Sequence, residues 1–357
     1  MSTIAICNFQ YFKIKEIGRG NFGVVHLIDD PQLAGQFAAK EIPCASFPNG
    51  AFETYYAEAQ AMHASACPHV VKIRAAGRNT DYITLIMEHY KNGSLEGRIR
   101  FNPLSPLDSI HVGQDMLIGL AAIHRSQITH FDIKPSNVLF DDQGRALVAD
   151  FGQARRIGKN GFANAPGMYQ WGRPPEAVSA FAGNQLSDVY QVGLTLYRAV
   201  NGEAFYKEQA TRYPVNTAEG QAKLERAIIT GKFPQRNAFQ PHVPDGLRRV
   251  IRKALRVDPA RRYQNADDFD AALGKVNPAL NWIMTRKQDG NTRWEASRDR
   301  HASLIVDLLQ EAGSYEVEVR SVSGGCTRKK QEGSLWRKGM SADEADLHLQ
   351  ELFTSLP

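Results

Sequence analysis

The sequence predicts an α+β fold of two lobes, the first rich in strands and the second helical, followed by a small α+β appendage. Three changes of texture predict it. Short alternating β-branched runs fill residues 10–91, apolar residues at helical spacing dominate 92–277, and beyond Asn277-Pro278 strand and helix patterns mix again.

In the first stretch, residues 11–17, 24–28 and 36–40 read as strands separated by turns that contain Gly or Asp-Pro. Residues 52–66 are alanine-rich with helical spacing, and 70–75 and 82–88 are two further strand-like runs. After Asn92-Gly93-Ser94 the period becomes helical, with helices predicted over 109–125, 188–200 and 247–256, the last ended by Asp258-Pro259. In the appendage, 280–286 and 292–296 flank Gln288-Asp289-Gly290-Asn291, a hairpin signal. Residues 302–312 read as a helix, 315–322 as a strand, and Ser341 with Glu344 as a capping box before a final helix.

With 357 residues, 43% of them apolar, the chain can fill two or three cores, and 23% charged residues do not indicate disorder. A net charge of +5, spread along the chain, does not mark a nucleic-acid binder. Cys7, Cys44, Cys67 and Cys326 form no CxxC and no His/Cys ligand spacing, which argues against a zinc site or a disulfide framework. No apolar run is long enough to span a bilayer and the first residues lack a secretory pattern, so a cytoplasmic protein without membrane partners is expected.

Three segments carry candidate chemistry. Gly18-Arg19-Gly20-Asn21-Phe22-Gly23-Val24-Val25 lies between two strands, where glycines let backbone approach phosphates; an ordinary glycine-rich hairpin has the same appearance. Its place between strands disfavours a dinucleotide-binding turn, which opens a helix. Lys40 closes the third strand, and Glu58 on the following helix is placed to orient it, with Glu53 as the rival partner. His130-Phe131-Asp132-Ile133-Lys134-Pro135-Ser136-Asn137 is followed by Asp150-Phe151-Gly152, the two carboxylates 18 residues apart around a strand-turn-strand pattern.

In this order the segments resemble the glycine loop, the HRDxKxxN catalytic loop and the DFG motif of eukaryotic-type protein kinases. The resemblance covers about residues 10–277, dividing near 91 and 92 into an N-lobe and a C-lobe, with 278–357 left as the appendage. It implies a bilobal kinase-like fold and transfer of the γ-phosphoryl group of ATP, with magnesium, to a protein hydroxyl. Asp132 would then orient or accept the acceptor's proton, Lys134 would neutralise the γ-phosphate, and Asn137 and Asp150 would offer magnesium hard oxygen ligands. Lys134 favours Ser/Thr over Tyr acceptors. The resemblance places Gly18, Gly20 and Gly23 over the phosphates, Lys40 against them, and Val25, Ala38 and Leu139 around the purine. Met87 would be the gatekeeper, and Glu88-His89-Tyr90 the hinge that meets adenine with backbone groups. Met62, Ile73, His130 and Phe151 fall where the family stacks its regulatory spine, Asp188 where it anchors the catalytic loop, and Glu176 and Arg262 where it places a buried ion pair.

The sequence departs from the family in the same region. Phe131 replaces the arginine of HRD, and between Phe151 and Glu176 there is no serine or threonine, Tyr169 being the one hydroxyl. Gly167-Met168 stands where the family has Gly-Thr, in a stretch one residue longer than usual. An enzyme active without activation-segment phosphorylation is expected, its segment ordered by packing of Phe131, Phe162, Met168 and Trp171 or by a partner. Two alternatives stay open: a pseudokinase that acts as a binding module through the appendage, and a small-molecule phosphotransferase of similar fold. In the appendage, Thr327-Arg-Lys-Lys330 and Trp336-Arg-Lys338 read as parts of a solvated hairpin rather than a nucleic-acid patch, and its partner is unknown.

Overall fold

The structure, a computed structural model, describes residues 10–20, 23–46, 53–164, 167–298, 302–311, 313–323, 326–328 and 335–356. Asn21 and Phe22 of the glycine-rich run and Lys329-Lys330 of the first basic cluster lie outside the described residues, as do the side chains of Glu53 and Glu58.

The N-terminal sheet is antiparallel, in the order β1-β2-β3-β5-β4. Its strands are β1 (Phe12–Gly20), β2 (Gly23–Asp30), β3 (Gly35–Pro43), β4 (Ile73–Arg78) and β5 (Tyr82–Glu88). The helix α1 (Glu53–Ala64) packs on β4 and buries Ala59, Ala61 and Met62. The strand predicted at 70–75 begins later, at Ile73. Val70 forms only an isolated bridge to Val148, a neighbour 78 residues away that local pattern does not reveal.

The helical lobe starts with the short α2 (Leu95–Arg98) and the long α3 (Pro106–Arg125). Ser105 caps α3, its hydroxyl accepting from the Asp108 N–H (3.2 Å), and Pro106 fills a first-turn position where no N–H is needed. Met116, Leu117, Leu120 and Ile123, spaced three and four apart, give the helix its buried face. Three two-stranded ladders follow: β6 (Ile128–Thr129) with β9 (Arg155–Arg156), β7 (Val138–Phe140) with β8 (Ala146–Val148), and β10 (Ala163–Asn164) with β11 (Ala182–Gly183). Between the last two lies α4 (Pro175–Ser179). Then come α5 (Gln185–Asn201), α6 (Glu203–Ala210), α7 (Ala218–Ile229), α8 (Asp245–Ala254) and α9 (Ala266–Leu273). Buried along nearly its whole length, α5 is the axis of the lobe, with α3 and α8 packed against it.

The appendage is a six-stranded antiparallel sheet covered on one face by a helix. Its strands are β12 (Ile283–Arg286), β13 (Thr292–Ser297), β14 (Ala302–Glu311), β15 (Ser314–Ser323), β16 (Cys326–Arg328) and β17 (Arg337–Met340); β16 and β17 both pair with β15. The covering helix is α10 (Ala342–Ser355), whose Ser341–Glu344 capping box forms as predicted. The helix predicted at 302–312 is a correction: the segment is β14, paired with β13 and β15. Leu304 and Val306 face the core under α10, whereas Asp307 is buried on the opposite face beneath Arg293 and Arg320. Burial on both faces produces a nearly continuous apolar run, which periodicity cannot tell from a helix.

Among the described residues, three hydrogen bonds seat the appendage on the helical lobe. Asn281 Oδ1 accepts from the Leu107 N–H (3.0 Å), Asn102 Oδ1 accepts from the Arg286 N–H (2.8 Å), and the indole N–H of Trp294 donates to His242 Nδ1 (3.1 Å). Among the described residues no helix is long and apolar enough to cross a membrane.

Candidate active site

The site is assembled around the first turns of α5. Asp188, fully buried, accepts from the backbone N–H groups of His130 and Phe131 (2.8 Å each) and meets His124 Nε2 at 2.8 Å. One turn on, Gln191 Oε1 accepts from the Ile133 N–H (3.0 Å) while its Nε2 donates to the Phe131 carbonyl (2.9 Å). Two side chains on one helix face thus clamp the loop on both sides of Phe131. The clamp holds Phe131 at φ 63°, a left-handed conformation that costs a non-glycine residue about 1–3 kcal/mol. Sequence reading named Asp188 and missed Gln191. Its signal was there: a polar side chain three residues from Asp188 on a helix otherwise buried and largely apolar.

The loop brings Asp132, Lys134 and Asn137 together. Asp132 Oδ2 accepts from Lys134 Nζ (2.8 Å) and from Asn137 Nδ2 (2.9 Å), and the same Nδ2 donates to the Asp132 carbonyl (2.9 Å). The amide group is therefore turned with its nitrogen toward Asp132 and its oxygen away. Burial pushes the Asp132 carboxyl up, Lys134 opposes this by charge and hydrogen bond, and nearby Asp150 adds to the rise; the net shift is upward. His130 is neutral, since burial pushes its pKa down against the pull of Asp188. The Ala149 carbonyl can only accept, so the contact with His130 Nε2 (3.1 Å) makes that nitrogen the protonated one and leaves Nδ1 to accept from the Asp132 N–H (3.3 Å).

Asp150 also has left-handed backbone, φ 64°, and its Oδ1 accepts from Lys40 Nζ at 2.7 Å. Burial raises the Asp150 carboxyl, but the Lys40 ammonium, by charge and hydrogen bond, and the charge of Lys134 together hold the group below the usual carboxylate range. Lys40 itself is buried in β3. Glu58 is on α1, with its side chain outside the described set.

Above these groups, the β-ladder sets the remaining candidates. Gly18 pairs with Val25 and Gly20 with Gly23 across the β1–β2 hairpin; Val25 pairs with Lys40, and Ala38 with Met87. Directly paired residues share a face, so Val25, Ala38, Lys40 and Met87 line one side of the sheet. Gly23 has no room for a side chain, because a Cβ would run into the Glu41 carbonyl oxygen and Ile42. Leu139 on β7 joins Met87 and Tyr90 at the edge of the cluster that contains Met62, Val148 and Phe151. Glu88 turns its carboxylate to Arg74 and donates its N–H to the Lys72 carbonyl (3.1 Å). Phe151 is buried edge-on to His130, ring centroids 4.8 Å apart, with Met62 and Ile73 in the same cluster.

In the segment after Gly152, Phe131 is fully buried with Ala163, Met168 and Ala177. Trp171 packs instead into the helical core, its ring 5.6 Å from Phe233, and Phe162 is half exposed, contrary to its predicted packing role. The predicted Glu176–Arg262 pair forms as a fork, with N···O distances of 2.8 and 2.7 Å.

The profile of the protein kinase domain matches residues 11–271. The chain belongs to the protein kinase family. Among curated relatives, this kinase-family chain is 25% identical over 334 residues to the serine/threonine-protein kinase PrkC of Bacillus subtilis, covering 92% of this chain and 49% of that protein. It is 30% identical over 274 residues to the serine/threonine-protein kinase PknK of Mycobacterium tuberculosis, covering 74% and 23%. The probable serine/threonine-protein kinase PknB of Lactococcus lactis is 27% identical over 268 residues, covering 73% and 41%. The chain thus spans half or less of the length of these relatives.

Proposed function

We propose that this chain is an active protein kinase that transfers the γ-phosphoryl group of ATP to serine or threonine hydroxyls of proteins. The observation that carries the proposal is the convergence of Lys40, Asp132, Lys134, Asn137 and Asp150, with Asp132 and Lys134 in contact at 2.8 Å and Lys40 and Asp150 at 2.7 Å. Phosphoryl transfer needs positioning and charge neutralisation more than covalent help, and this set supplies both. Asp132, raised and partly neutralised, is suited to hold the acceptor hydroxyl and take its proton. Lys134, 2.8 Å from that carboxylate, would neutralise charge on the incoming phosphate.

The donors fit a hard divalent cation. The carboxylate of Asp150 and the outward amide oxygen of Asn137 are two oxygen ligands, the number magnesium takes from a protein when substrate phosphates supply others. Bound there, magnesium would neutralise phosphate charge. The proposal is tested with labelled ATP, magnesium and a generic protein acceptor. Asp132→Asn should lower transfer by about 10²- to 10⁴-fold while keeping thermal stabilisation by magnesium–ATP. Asp150→Asn should lose the magnesium dependence of that stabilisation. A folded wild-type protein that transfers no phosphate to any acceptor overturns the proposal.

We further propose that activity does not require phosphorylation of the activation segment. The buried packing of Phe131 against Ala163, Met168 and Ala177 supports this, since it orders the segment where an arginine cluster would need a phosphate to do so.

A further inference from the structure

Lys134 is held from two sides. Its ammonium lies 2.8 Å from the Asp132 carboxylate and, over the face of the Tyr169 ring, 5.5 Å from the ring centre. At that separation a cation is attracted by the π electrons of the ring. Among the described residues these are the two groups the ammonium meets. The carboxylate alone would hold it loosely. Lys134 is 26% exposed, and an ion pair open to water is offset by the rotamer freedom that a four-carbon side chain loses. The neighbouring Met168 is buried with Phe131 and offers an ammonium no strong acceptor. Burial pushes the Tyr169 phenol up, so the ring is un-ionised at neutral pH and the attraction is to its face, not to a phenolate.

The register of ring and ammonium comes from one side chain of α5. Gln191, which grips the catalytic loop at the Phe131 carbonyl and the Ile133 N–H, also donates from Nε2 to the Gly172 carbonyl (3.3 Å). The Gly172 N–H donates in turn to the Tyr169 carbonyl (2.9 Å), closing the turn that presents the ring. The segments that carry Lys134 and Tyr169 are far apart in sequence and share this one amide.

Resting on the kinase reading of the catalytic loop, we propose that Tyr169 is a positioning residue for phosphoryl transfer, the face of its ring keeping Lys134 against Asp132. It acts through Lys134, and its hydroxyl takes no part.

The test compares Tyr169→Leu, which removes the ring, and Tyr169→Phe, which keeps it, with wild type, using magnesium–ATP and a generic protein acceptor. Tyr169→Leu should lower kcat about 3- to 30-fold with KM for ATP unchanged. The charged and titratable groups around Asp132 are Lys134, Asp150 and His130, and a Lys134 freed from its place opposes the upward shift of Asp132 less. The acid limb of kcat/KM should therefore move to higher pH in Tyr169→Leu and stay in place in Tyr169→Phe. A ring that served only as a wall would change the rate without moving the limb. In a Lys134→Met background, Tyr169→Leu should add little further loss. Tyr169 is 45% exposed, so the variants should fold. Thermal unfolding checks this, and Tyr169→Met replaces the leucine variant if it does not. An unmoved limb, or an equal loss in Tyr169→Phe, overturns the positioning role and leaves the kinase reading standing. A folded wild-type protein that transfers no phosphate overturns both.

Discussion

Asp132 sits where two opposite influences meet. Burial and the neighbouring Asp150 disfavour its charged form, and Lys134 at 2.8 Å favours it, with a net upward shift. If the ionised form takes the acceptor's proton, transfer fails as pH falls through this raised value. The acid limb of kcat/KM should then lie above the usual carboxylate range. Lys134→Met removes the opposing cation, so the limb should move to still higher pH while kcat drops. Rate profiles of the two proteins over mildly acidic pH decide this, and an unmoved limb would assign the titration to another group. Asp150 responds in the opposite sense. Its carboxyl, depressed by Lys40, adds stability that is complete above the unfolded carboxylate value and lost as pH falls through the lower folded one.

At the scale of elements, a short ladder and a small apolar cluster gather around Phe131 among the described residues after Gly152. The β10–β11 ladder pairs Ala163 with Gly183, and Phe131 fills the space next to it. Gly183 is required for that approach, since a Cβ there would stand 2.7 Å from Phe131 Cε1. Gly183→Ala should cost about 1–3 kcal/mol by overpacking, and Phe131→Ala about 3–5 kcal/mol by leaving a cavity, both read from denaturant unfolding. Phosphate-free enzyme, confirmed by mass after phosphatase treatment, should keep its initial rate. A collapse of that rate, reversed by phosphorylating Tyr169 and absent in Tyr169→Phe, would show that charge and not packing orders the segment.

For the whole molecule, the question is what the appendage does for the lobe that carries the site. Trp294, almost fully buried, ties the sheet to His242, and Phe353 of α10 packs on both rings. The indole can only donate, so His242 Nδ1 must stay unprotonated. Burial, with Arg248 adding to it, pushes the imidazole down to about 3. The unfolded chain takes up a proton near the ordinary histidine value of about 6.5, while the folded chain does so only near 3. Stability should therefore fall as pH drops between those values, by on the order of a few kcal/mol in total. His242→Asn, which keeps an acceptor but cannot titrate, should flatten that slope in thermal melts across the window. We propose that a chain ending at residue 277 keeps its phosphotransfer, because the candidate catalytic groups lie between Gly18 and Asp188. Its melting temperature should be lower, because His242 loses its ring partners. A folded but inactive truncation would make the appendage part of the catalytic unit.

The sequence alone determined what depends on near neighbours. The glycine-rich hairpin and the Ser341–Glu344 capping box are local statements, because each involves groups a few bonds or one turn apart. The strand read as closing at Lys40, by contrast, runs on to Pro43 through its pairing with β5. Phe131 was visible as a departure, though the cavity that receives it was not. Tertiary structure decided the rest. The run 302–311 has an ambiguous period and becomes a strand only because β13 and β15 lie on either side of it. Gln191 becomes a clamp, Asp307 a buried charge and His242 a fixed neutral acceptor through partners that long chain separations bring together. A side chain's chemistry is written in its residue type. Its protonation, strain and burial belong to whichever surface the fold places against it.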